Sequence, residues 1–178
     1  MDRQTAHRLA LDLLNNPLAV ILDTETTDLN GYIIELAVLS MQGVTLYNRR
    51  FNPLAPISPQ ASRVHGLQAQ DLEHLPTFGD EAEQIRSLLQ GKLLCAYNAS
   101  FDRQILENEC RRLGQDWQLS WQCLMQPYAA WVGDWDWQRR DYRWPKLPGG
   151  NHSALGDCQA ALKVLRQMAS PPPGFSAP

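Results

Sequence analysis

Two carboxylates stand at the end of an apolar run near the start of the chain. Residues Ala19–Glu25 read AVILDTE, in which four apolar residues precede Asp23 and Glu25. A run of this kind is typical of a strand that is buried on both faces at the centre of a sheet. Side chains two residues apart in a strand point the same way, so Asp23 and Glu25 are predicted to share one face.

These two like charges would repel each other and resist removal from water, so a compensating partner is expected. A divalent cation would meet that need. The alternative is that Asp23 and Glu25 are simply solvated where the strand ends, because an Asp-x-Glu pair alone is a weak motif. The other acidic residues of the chain bear on this choice.

Two further carboxylates are predicted to reach the same end of the sheet. Asp102 follows a short buried strand at 92–97 (KLLCAY) and lies in the first turn of a helix predicted over 98–114. Asp157 lies about one turn into a last helix, predicted over 151–169. The helix dipole alone favours a carboxylate in the first turn, which is the structural alternative for Asp102.

An all-oxygen cluster of four carboxylates suits two hard divalent cations, Mg²⁺ or Mn²⁺, rather than zinc. Two such ions, about 3.5–4 Å apart, hold the attacking and leaving oxygens of a phosphodiester during its hydrolysis. That reaction needs a base to take a proton from water, and His152, beside the last helix, is the candidate. Taken alone, His152 is better explained as a surface histidine at the start of a helix.

The elements that must position these groups predict an α/β sheet with helices packed on it. A first helix ends near Asn15–Pro17. Three strands follow in order, at 19–25, 32–40 and 44–51, which predicts an antiparallel meander. Later strands alternate with helices, so the sheet is expected to be of mixed direction.

Other segments complete the predicted order. The SRVHGL segment at 62–67 reads as a loop over the sheet, and helices are predicted over Asp80–Gln90 and Trp121–Val132. The length suits one domain, over residues 1–169. The Pro-rich tail at 170–178 is predicted to be disordered.

Composition narrows the class of protein. No apolar run approaches the roughly 18–20 residues of a membrane span, and the first 16 residues show helical spacing rather than a signal peptide. The cysteines form no C-x-x-C pair, so free thiols are expected rather than a zinc or redox motif. These are Cys95, Cys110, Cys123 and Cys158. A cytoplasmic location and no membrane partner are therefore expected.

Residues 131–146 are rich in tryptophan and arginine. One interpretation is a surface on which single-stranded nucleic acid stacks, with arginines along its phosphates. The other is that the tryptophans pack an irregular loop or a contact in a homodimer. The second is favoured because tryptophans are usually well buried. The aromatic residues are Trp131, Trp135, Trp137, Tyr142 and Trp144, and the basic ones are Arg139, Arg140, Arg143 and Lys146.

Four short motifs occur in a fixed order: D-T-E-T-T from Asp23, H-G from His65, N-A-x-F-D from Asn98, and H-x-A-L-x-D-x-x-A from His152. Together they resemble the DEDDh branch of the 3′→5′ exonucleases, over about Val20 to Met168. That branch includes proofreading subunits of bacterial replicative polymerases, RNase T and oligoribonuclease. The resemblance implies a ribonuclease H-like fold, with a three-stranded antiparallel meander followed by parallel strands and flanked by helices.

The resemblance also implies roles for individual residues. The metal-binding acids would be Asp23, Glu25, Asp102 and Asp157, with His152 as the general base. Contacts to the 3′-terminal nucleotide would come from Thr26, Leu29, His65 and Asn98, the leucine acting as an apolar wedge against a base.

The activity implied is hydrolysis at the 3′ end of single-stranded or frayed DNA or RNA, with two divalent ions and release of nucleoside 5′-monophosphates. The residues leave open whether DNA or RNA is preferred and whether a polymerase is bound. The competing class is a non-catalytic nucleic-acid-binding adaptor with a nuclease-like fold. The complete acid set argues against an adaptor, which has no need of it.

Two positions depart from the family's usual pattern. Tyr97 stands where histidine is common, and Asp28 stands where glycine is common; Asp28 adds negative charge near the path of a phosphate. The stretch between Lys146 and His152 is also shorter than in relatives, so the loop that presents His152 is expected to be shorter or more mobile.

Overall fold

A five-stranded sheet with β1 at its centre organises the computed structural model, which describes residues 1–170. The spatial order is β3-β2-β1-β4-β5. β1, β2 and β3 pair antiparallel, whereas β4 is parallel to β1, and β5 is parallel to β4. The predicted mixed sheet is therefore confirmed. The strands are β1 (Ala19–Thr26), β2 (Ile33–Ser40), β3 (Thr45–Arg50), β4 (Leu93–Ala96) and β5 (Ser120–Cys123).

Helices cover both faces of this sheet. Side chains from α1, α6 and α7 pack with one face, and those from α4 and α5 pack with the other. A small hairpin of two short strands, β6 and β7, separates α6 from α7. The elements are α1 (Arg3–Asn15), α2 (Pro59–His65), α3 (Ala69–Leu72), α4 (Phe78–Leu89), α5 (Ala99–Arg112), α6 (Met125–Val132), β6 (Trp135–Asp136), β7 (Asp141–Tyr142) and α7 (Ala154–Ala169).

The apolar half of β1 is buried on both faces, as its sequence predicts. Ile21 packs in the cluster that contains α7, and Leu22 packs in the cluster that contains α5. Both side chains are completely shielded from solvent. This burial fixes the register of β1 and therefore the direction in which each carboxylate at its end points.

The segment predicted as a loop at 62–67 is mostly helical, so that prediction is wrong. Helix α2 covers Pro59–His65. The Ser58 hydroxyl accepts a hydrogen bond from Ala61 N at 3.1 Å, and Gly66 ends the helix in the left-handed conformation. A serine cap, a proline at the first position and a terminal glycine are ordinary helix boundaries, and they were present in the sequence.

The helix predicted over Trp121–Val132 is also wrong in its first part. Residues 120–123 form β5, and only Met125–Val132 is helical. Trp121 pairs with Leu94 of β4 in a parallel ladder. A segment of four residues suits a strand or a helix equally well, and here pairing with the neighbouring strand decides.

Most tryptophans of residues 131–146 are not buried, although expected burial was the reason to predict that they pack a loop or a dimer contact. Trp135, Trp137 and Trp144 are exposed, whereas Trp131 is half-buried and stacks on Tyr128. The reason for preferring loop packing therefore fails for three of the four.

The Pro-rich tail at 170–178 was predicted to be disordered. From residue 171 onward this segment lies outside the described residues. Within residues 1–170, every helix is too short or too polar to cross a lipid bilayer.

Candidate active site

A cavity of about 370 Å³ opens where β1 and β4 end. Its walls come from the end of β1, the turn after it, α2, the start of α5 and the loop before α7. All nine residues predicted from the sequence line it, namely Asp23, Glu25, Thr26, Leu29, His65, Asn98, Asp102, His152 and Asp157. The structure thus brings the whole predicted set to one place.

Asp23 and Glu25 reach the cavity from the same face of β1. Asp23 pairs with Ala37 of β2, and Glu25 pairs with Glu35. The ladder becomes irregular only after Glu25, so the alternation that places both on the α7 side is intact. Glu25 is only 9% exposed, and Asp23 is partly buried.

Asp102 reaches the cavity from the opposite side of β1. It lies in the first turn of α5 and is 3% exposed. The Thr24 hydroxyl, which points to the α5 side, donates a 2.9 Å hydrogen bond to Asp102 Oδ1. Thr24, between the two acids of β1, therefore holds the third acid in place.

Asp157 connects the cavity to the loop that carries His152. Its Oδ1 accepts hydrogen bonds from the backbone nitrogens of Asn151, at 2.8 Å, and His152, at 3.2 Å. His152 is exposed and adopts a left-handed backbone conformation with φ of 59°, which is unusual outside glycine. The short loop is thus anchored to the same carboxylate that faces the cavity.

Glu25, His152 and Asp157 form the tightest group. One ligand atom from each lies within 4.8 Å of the other two. Asp23 and Asp102 line the same cavity beside them. This spacing allows a single small cation to contact several of these groups together.

The carboxylates raise each other's pKa. Burial, followed by repulsion from Asp102, Asp157 and Glu25, raises the pKa of Asp23 well above its usual range. Burial and the neighbouring acids raise the pKa of Glu25 to about 8. Burial raises the pKa of Asp102 to about 7, although the Thr24 hydrogen bond opposes the shift. If all these carboxylates were ionised, their negative charge would not be balanced by neighbouring positive groups.

The donor set fits a hard divalent cation. Carboxylate oxygens are the ligands that Mg²⁺ and Mn²⁺ prefer, and the cluster offers them from Asp23, Glu25, Asp102 and Asp157. Among the described residues, neither lysine nor arginine lines the cavity to neutralise them. A bound cation would supply the missing charge and restore ordinary ionisation.

His65 presents an unused donor in the cavity. Its Nδ1 accepts a hydrogen bond from Leu67 N at 3.1 Å, so the proton of the neutral ring resides on Nε2. That Nε2 is buried without a hydrogen-bond partner among residues 1–170. Burial lowers the pKa of His65 and favours this neutral form, although the backbone of Thr26 close to the ring opposes the shift. An unpaired buried donor at this point suits an acceptor on a ligand.

Several residues at the site were not predicted from the sequence. Gln60, Ala61 and Val64 line the cavity from α2, a helix that was not predicted and whose second half was predicted to be a loop. Tyr97, noted only as a departure, lines it as well, and its hydroxyl donates a 2.8 Å hydrogen bond to Pro145 O. No local pattern points to that bond, which joins residues 48 positions apart.

Glu35 is a further buried acid beside the site. It is 4% exposed, lies opposite Glu25 on β2 and pairs with Arg50 at 3.6 Å. Burial raises its pKa, while Arg50 and the backbone N–H of Ala154, where α7 starts, oppose the shift. The sequence did carry a signal, since Glu35 interrupts the otherwise apolar run of β2.

Comparison with known families and proteins shows what this chain is similar to. The exonuclease family model RNase_T matches residues 20–165. The uncharacterized exonuclease CP81 of Escherichia phage 186 is 26% identical over 170 residues, covering 84% of this chain and 87% of the phage protein. The DNA polymerase III subunit epsilon of Pasteurella multocida is 32% identical over 106 residues, covering 53% of this chain. The chain spans only 42% of that subunit's length in this match.

A solved structure extends the similarity to three dimensions. Exonuclease X, in complex with 5′ overhanging duplex DNA, superimposes with a TM-score of 0.60 at 26% identity. The match covers 89% of this chain and 95% of Exonuclease X. The family model, the sequence relatives and the solved structure all indicate an exonuclease. The chain therefore belongs to the exonuclease family and is a 3′→5′ exonuclease of the DEDDh type.

Proposed function

We propose that the chain removes nucleotides one at a time from the 3′ end of single-stranded or frayed DNA, releasing nucleoside 5′-monophosphates. The observation that carries this proposal is the convergence of Asp23, Glu25, Asp102, Asp157 and His152 in one cavity. Its volume of about 370 Å³ lies within the range of small-ligand sites and suits one terminal nucleotide. Residues 1–169 would act as one exonuclease domain.

The four carboxylates would hold two divalent ions, Mg²⁺ or Mn²⁺. Their oxygen donors and raised pKa values support this assignment. When bound, such ions stabilise the negative charge that develops on the phosphate and favour deprotonation of water. Thr24 would keep Asp102 in its ligating position through the 2.9 Å hydrogen bond.

His152 would act as the general base. A ring nitrogen takes a proton from the attacking water as its oxygen bonds to phosphorus. The bond from phosphorus to the 3′ oxygen of the preceding nucleotide breaks, and this oxygen takes a proton from solvent to become the new 3′-hydroxyl. The ring then carries a positive charge. Glu25 and Asp157, each with an oxygen within 4.8 Å of it, would stabilise that charge.

The remaining cavity residues would bind the terminal nucleotide. Leu29 is 69% exposed at the rim, where an apolar side chain can contact a base. His65 would donate from Nε2 to a substrate oxygen, because that atom is otherwise unpaired. Asn98 lines the same wall. The Thr26 hydroxyl donates its proton to Asp28 O at 2.8 Å, so its oxygen would act toward the substrate as a hydrogen-bond acceptor.

DNA is the proposed substrate because Exonuclease X was solved with DNA and shares most of its length with this chain. Parallel assays on DNA and RNA strands of one sequence test this preference. Faster cleavage of RNA would contradict it. A cytoplasmic location is proposed as well, since all four cysteines are free thiols that suit a reducing compartment.

The decisive assay follows a 5′-labelled oligonucleotide in the presence of Mg²⁺. A ladder that shortens one nucleotide at a time supports the exonuclease, whereas an intact strand supports a non-catalytic adaptor. Asp23→Asn should abolish the ladder and leave the circular dichroism spectrum unchanged. Asp12→Asn, an exposed acid on α1, is the matched control and should cleave normally. Full activity in Asp23→Asn would remove the assignment of this carboxylate.

A further inference from the structure

Residues 134–146 form a defined unit, named here the aromatic hairpin. β6 and β7 pair within it, and Arg143 N donates a 2.8 Å hydrogen bond to Asp134 O. The Asp136 carboxylate accepts from the backbone nitrogens of Gln138 and Arg139, at 2.9 and 3.2 Å, which fixes the turn. The hairpin therefore has an ordered shape of its own.

The hairpin displays three tryptophans to solvent. Trp137 is 85% exposed, Trp144 is 56% exposed, and Trp135 is 38% exposed. The Trp135 ring packs edge-on against Tyr142, at 5.0 Å between centroids, and lies 6.3 Å from the ring of Trp137. These contacts brace Trp135 and leave the other two rings accessible. Large aromatic groups held in water in this way are typical of interaction surfaces.

The same surface carries accessible positive charge. Arg139, Arg140, Arg143 and Lys146 are all exposed. Of the hairpin's three acids, Asp136 is engaged with the turn and with Arg143, and Asp141 accepts from Tyr142 N. The hairpin's four basic and three acidic residues give it a net charge of +1, whereas the chain as a whole has a net charge of −3. It complements a polyanion.

The hairpin leads directly into the cavity. Tyr97, which lines the cavity, donates from its hydroxyl to Pro145 O at 2.8 Å, with Lys146 O at 3.3 Å. Leu147, the next residue, lines the cavity too. The end of the hairpin at Pro145 and Lys146 therefore lies beside the wall of the cavity.

We propose that the aromatic hairpin binds the single-stranded segment that lies 5′ of the terminal nucleotide. Bases stack on Trp137 and Trp144, and the arginines contact the phosphates between them. Stacking accepts any base, so this binding is independent of sequence and weakens as salt rises. The inference rests on the proposed function, because it takes the cavity as the place where the 3′ end binds.

A second copy of the chain fits this surface less well. A symmetric contact would bring together two surfaces that each carry a net positive charge, which is unfavourable at close range. A nucleic acid strand instead supplies both the base faces for the tryptophans and the negative charge for the arginines.

The test compares wild type with the double variant Trp137→Ala/Trp144→Ala on two substrates. One is single-stranded DNA of about 20 nucleotides, longer than one such surface covers. The other is the p-nitrophenyl ester of thymidine 5′-monophosphate, which occupies the cavity alone. The KM for the DNA should rise about tenfold or more, as expected from the loss of two stacked bases, with kcat nearly unchanged. Hydrolysis of the ester should not change.

Two further variants make the result specific. Trp137→Phe/Trp144→Phe keeps aromatic faces and should retain most of the affinity for DNA, which also shows that the hairpin folds. Val44→Ala/Leu46→Ala removes exposed apolar groups on and beside β3 and should behave as wild type. Equal loss of DNA affinity in this control pair would overturn the assignment to the hairpin.

An unchanged KM for DNA in the alanine variant would overturn the proposal. The proposal would also be overturned if sedimentation showed that wild type is a dimer and the variant a monomer while DNA binding is unaffected. The surface would then join two copies of the chain. Fluorescence anisotropy of labelled DNA in EDTA measures binding without cleavage. If wild type cleaves neither substrate, the proposed function fails, and the anisotropy difference between wild type and variant still decides the hairpin's role.

Discussion

The Tyr97 hydroxyl donates a 2.8 Å hydrogen bond to the carbonyl oxygen of Pro145. Tyr97 follows β4 and is largely buried, whereas Pro145 belongs to the segment that leads to His152. The bond therefore joins the sheet to the loop that carries His152. Tyr97 thus anchors this loop at a second point, in addition to Asp157.

Tyr97→Phe should lower kcat about fivefold, because one hydrogen bond of about 1 kcal/mol no longer holds the loop. The apolar ring contacts, including the one with Tyr128, remain. Tyr47→Phe is the matched control: its hydroxyl donates to Glu81 at 3.0 Å, and its ring is buried to a similar extent. Steady-state kinetics on a 5′-labelled strand measure both variants. Equal rates in wild type and Tyr97→Phe would show that the loop does not need this tether.

His152→Ala should reduce kcat by about 10²-fold or more and change KM little, because the role proposed for the imidazole is to accept a proton and not to bind DNA. His74→Ala, at an exposed position away from the cavity, should leave both constants unchanged. Steady-state and single-turnover rates at saturating DNA separate the chemical step from product release. An undiminished single-turnover rate would make His152 a bystander.

Thr24→Val should reduce activity about tenfold, because Asp102 Oδ1 loses its only side-chain donor among the described hydrogen bonds. Thr24→Ser keeps a hydroxyl and should retain the activity. Valine matches threonine in shape, so the packing between β1 and α5 is kept. The accompanying readout is the Mg²⁺ concentration for half-maximal rate, which should rise in the valine variant and not in the serine variant. A rate loss without that rise would indicate a packing defect.

Much of the site could be predicted because its residues follow strand ends. Asp23 and Glu25 terminate a strongly apolar strand, and Asp102 opens the helix after the next parallel strand. Parallel neighbours bring their carboxyl ends to one edge, so local patterns were enough to predict convergence. The mixed direction of the sheet and the central place of β1 were predicted as well, and both are confirmed, but β5 was missed.

The features that escaped prediction depend on distant partners. Residues 120–123 become a strand only because they pair with β4, and four residues cannot specify that alone. Whether Trp137 is exposed depends on whether other parts of the folded chain cover it, and the composition of the segment does not reveal this. Helix α2 is different, since its boundary residues were in the sequence and were outweighed by the nearby prolines.

The cluster of acids also predicts a dependence of stability on pH and metal. In the metal-free protein the pKa of Glu25 is about 8, against an ordinary value of 4.5. Between these pH values the folded state binds more protons than the unfolded state, so the free energy of unfolding falls as pH rises. The contribution is complete below about pH 4.5 and is lost as pH rises through about 8. Asp23 and Asp102 change in the same direction.

Glu25→Gln should therefore stabilise the protein in EDTA, and by more at high pH than at low pH. Near pH 5 the carboxyl is protonated in the fold and the Tm should match wild type, whereas near pH 8 the variant's Tm should be higher by about 3 °C or more. Excess Mg²⁺ should raise the Tm of wild type near pH 8 and raise that of the variant less, because the amide is a poorer ligand. Thermal unfolding followed by circular dichroism, with Asp12→Asn as an exposed control, makes both comparisons. A pH-independent Tm difference would mean that the acids at the end of β1 are already balanced by charges within the protein, so that no cation is needed to stabilise them.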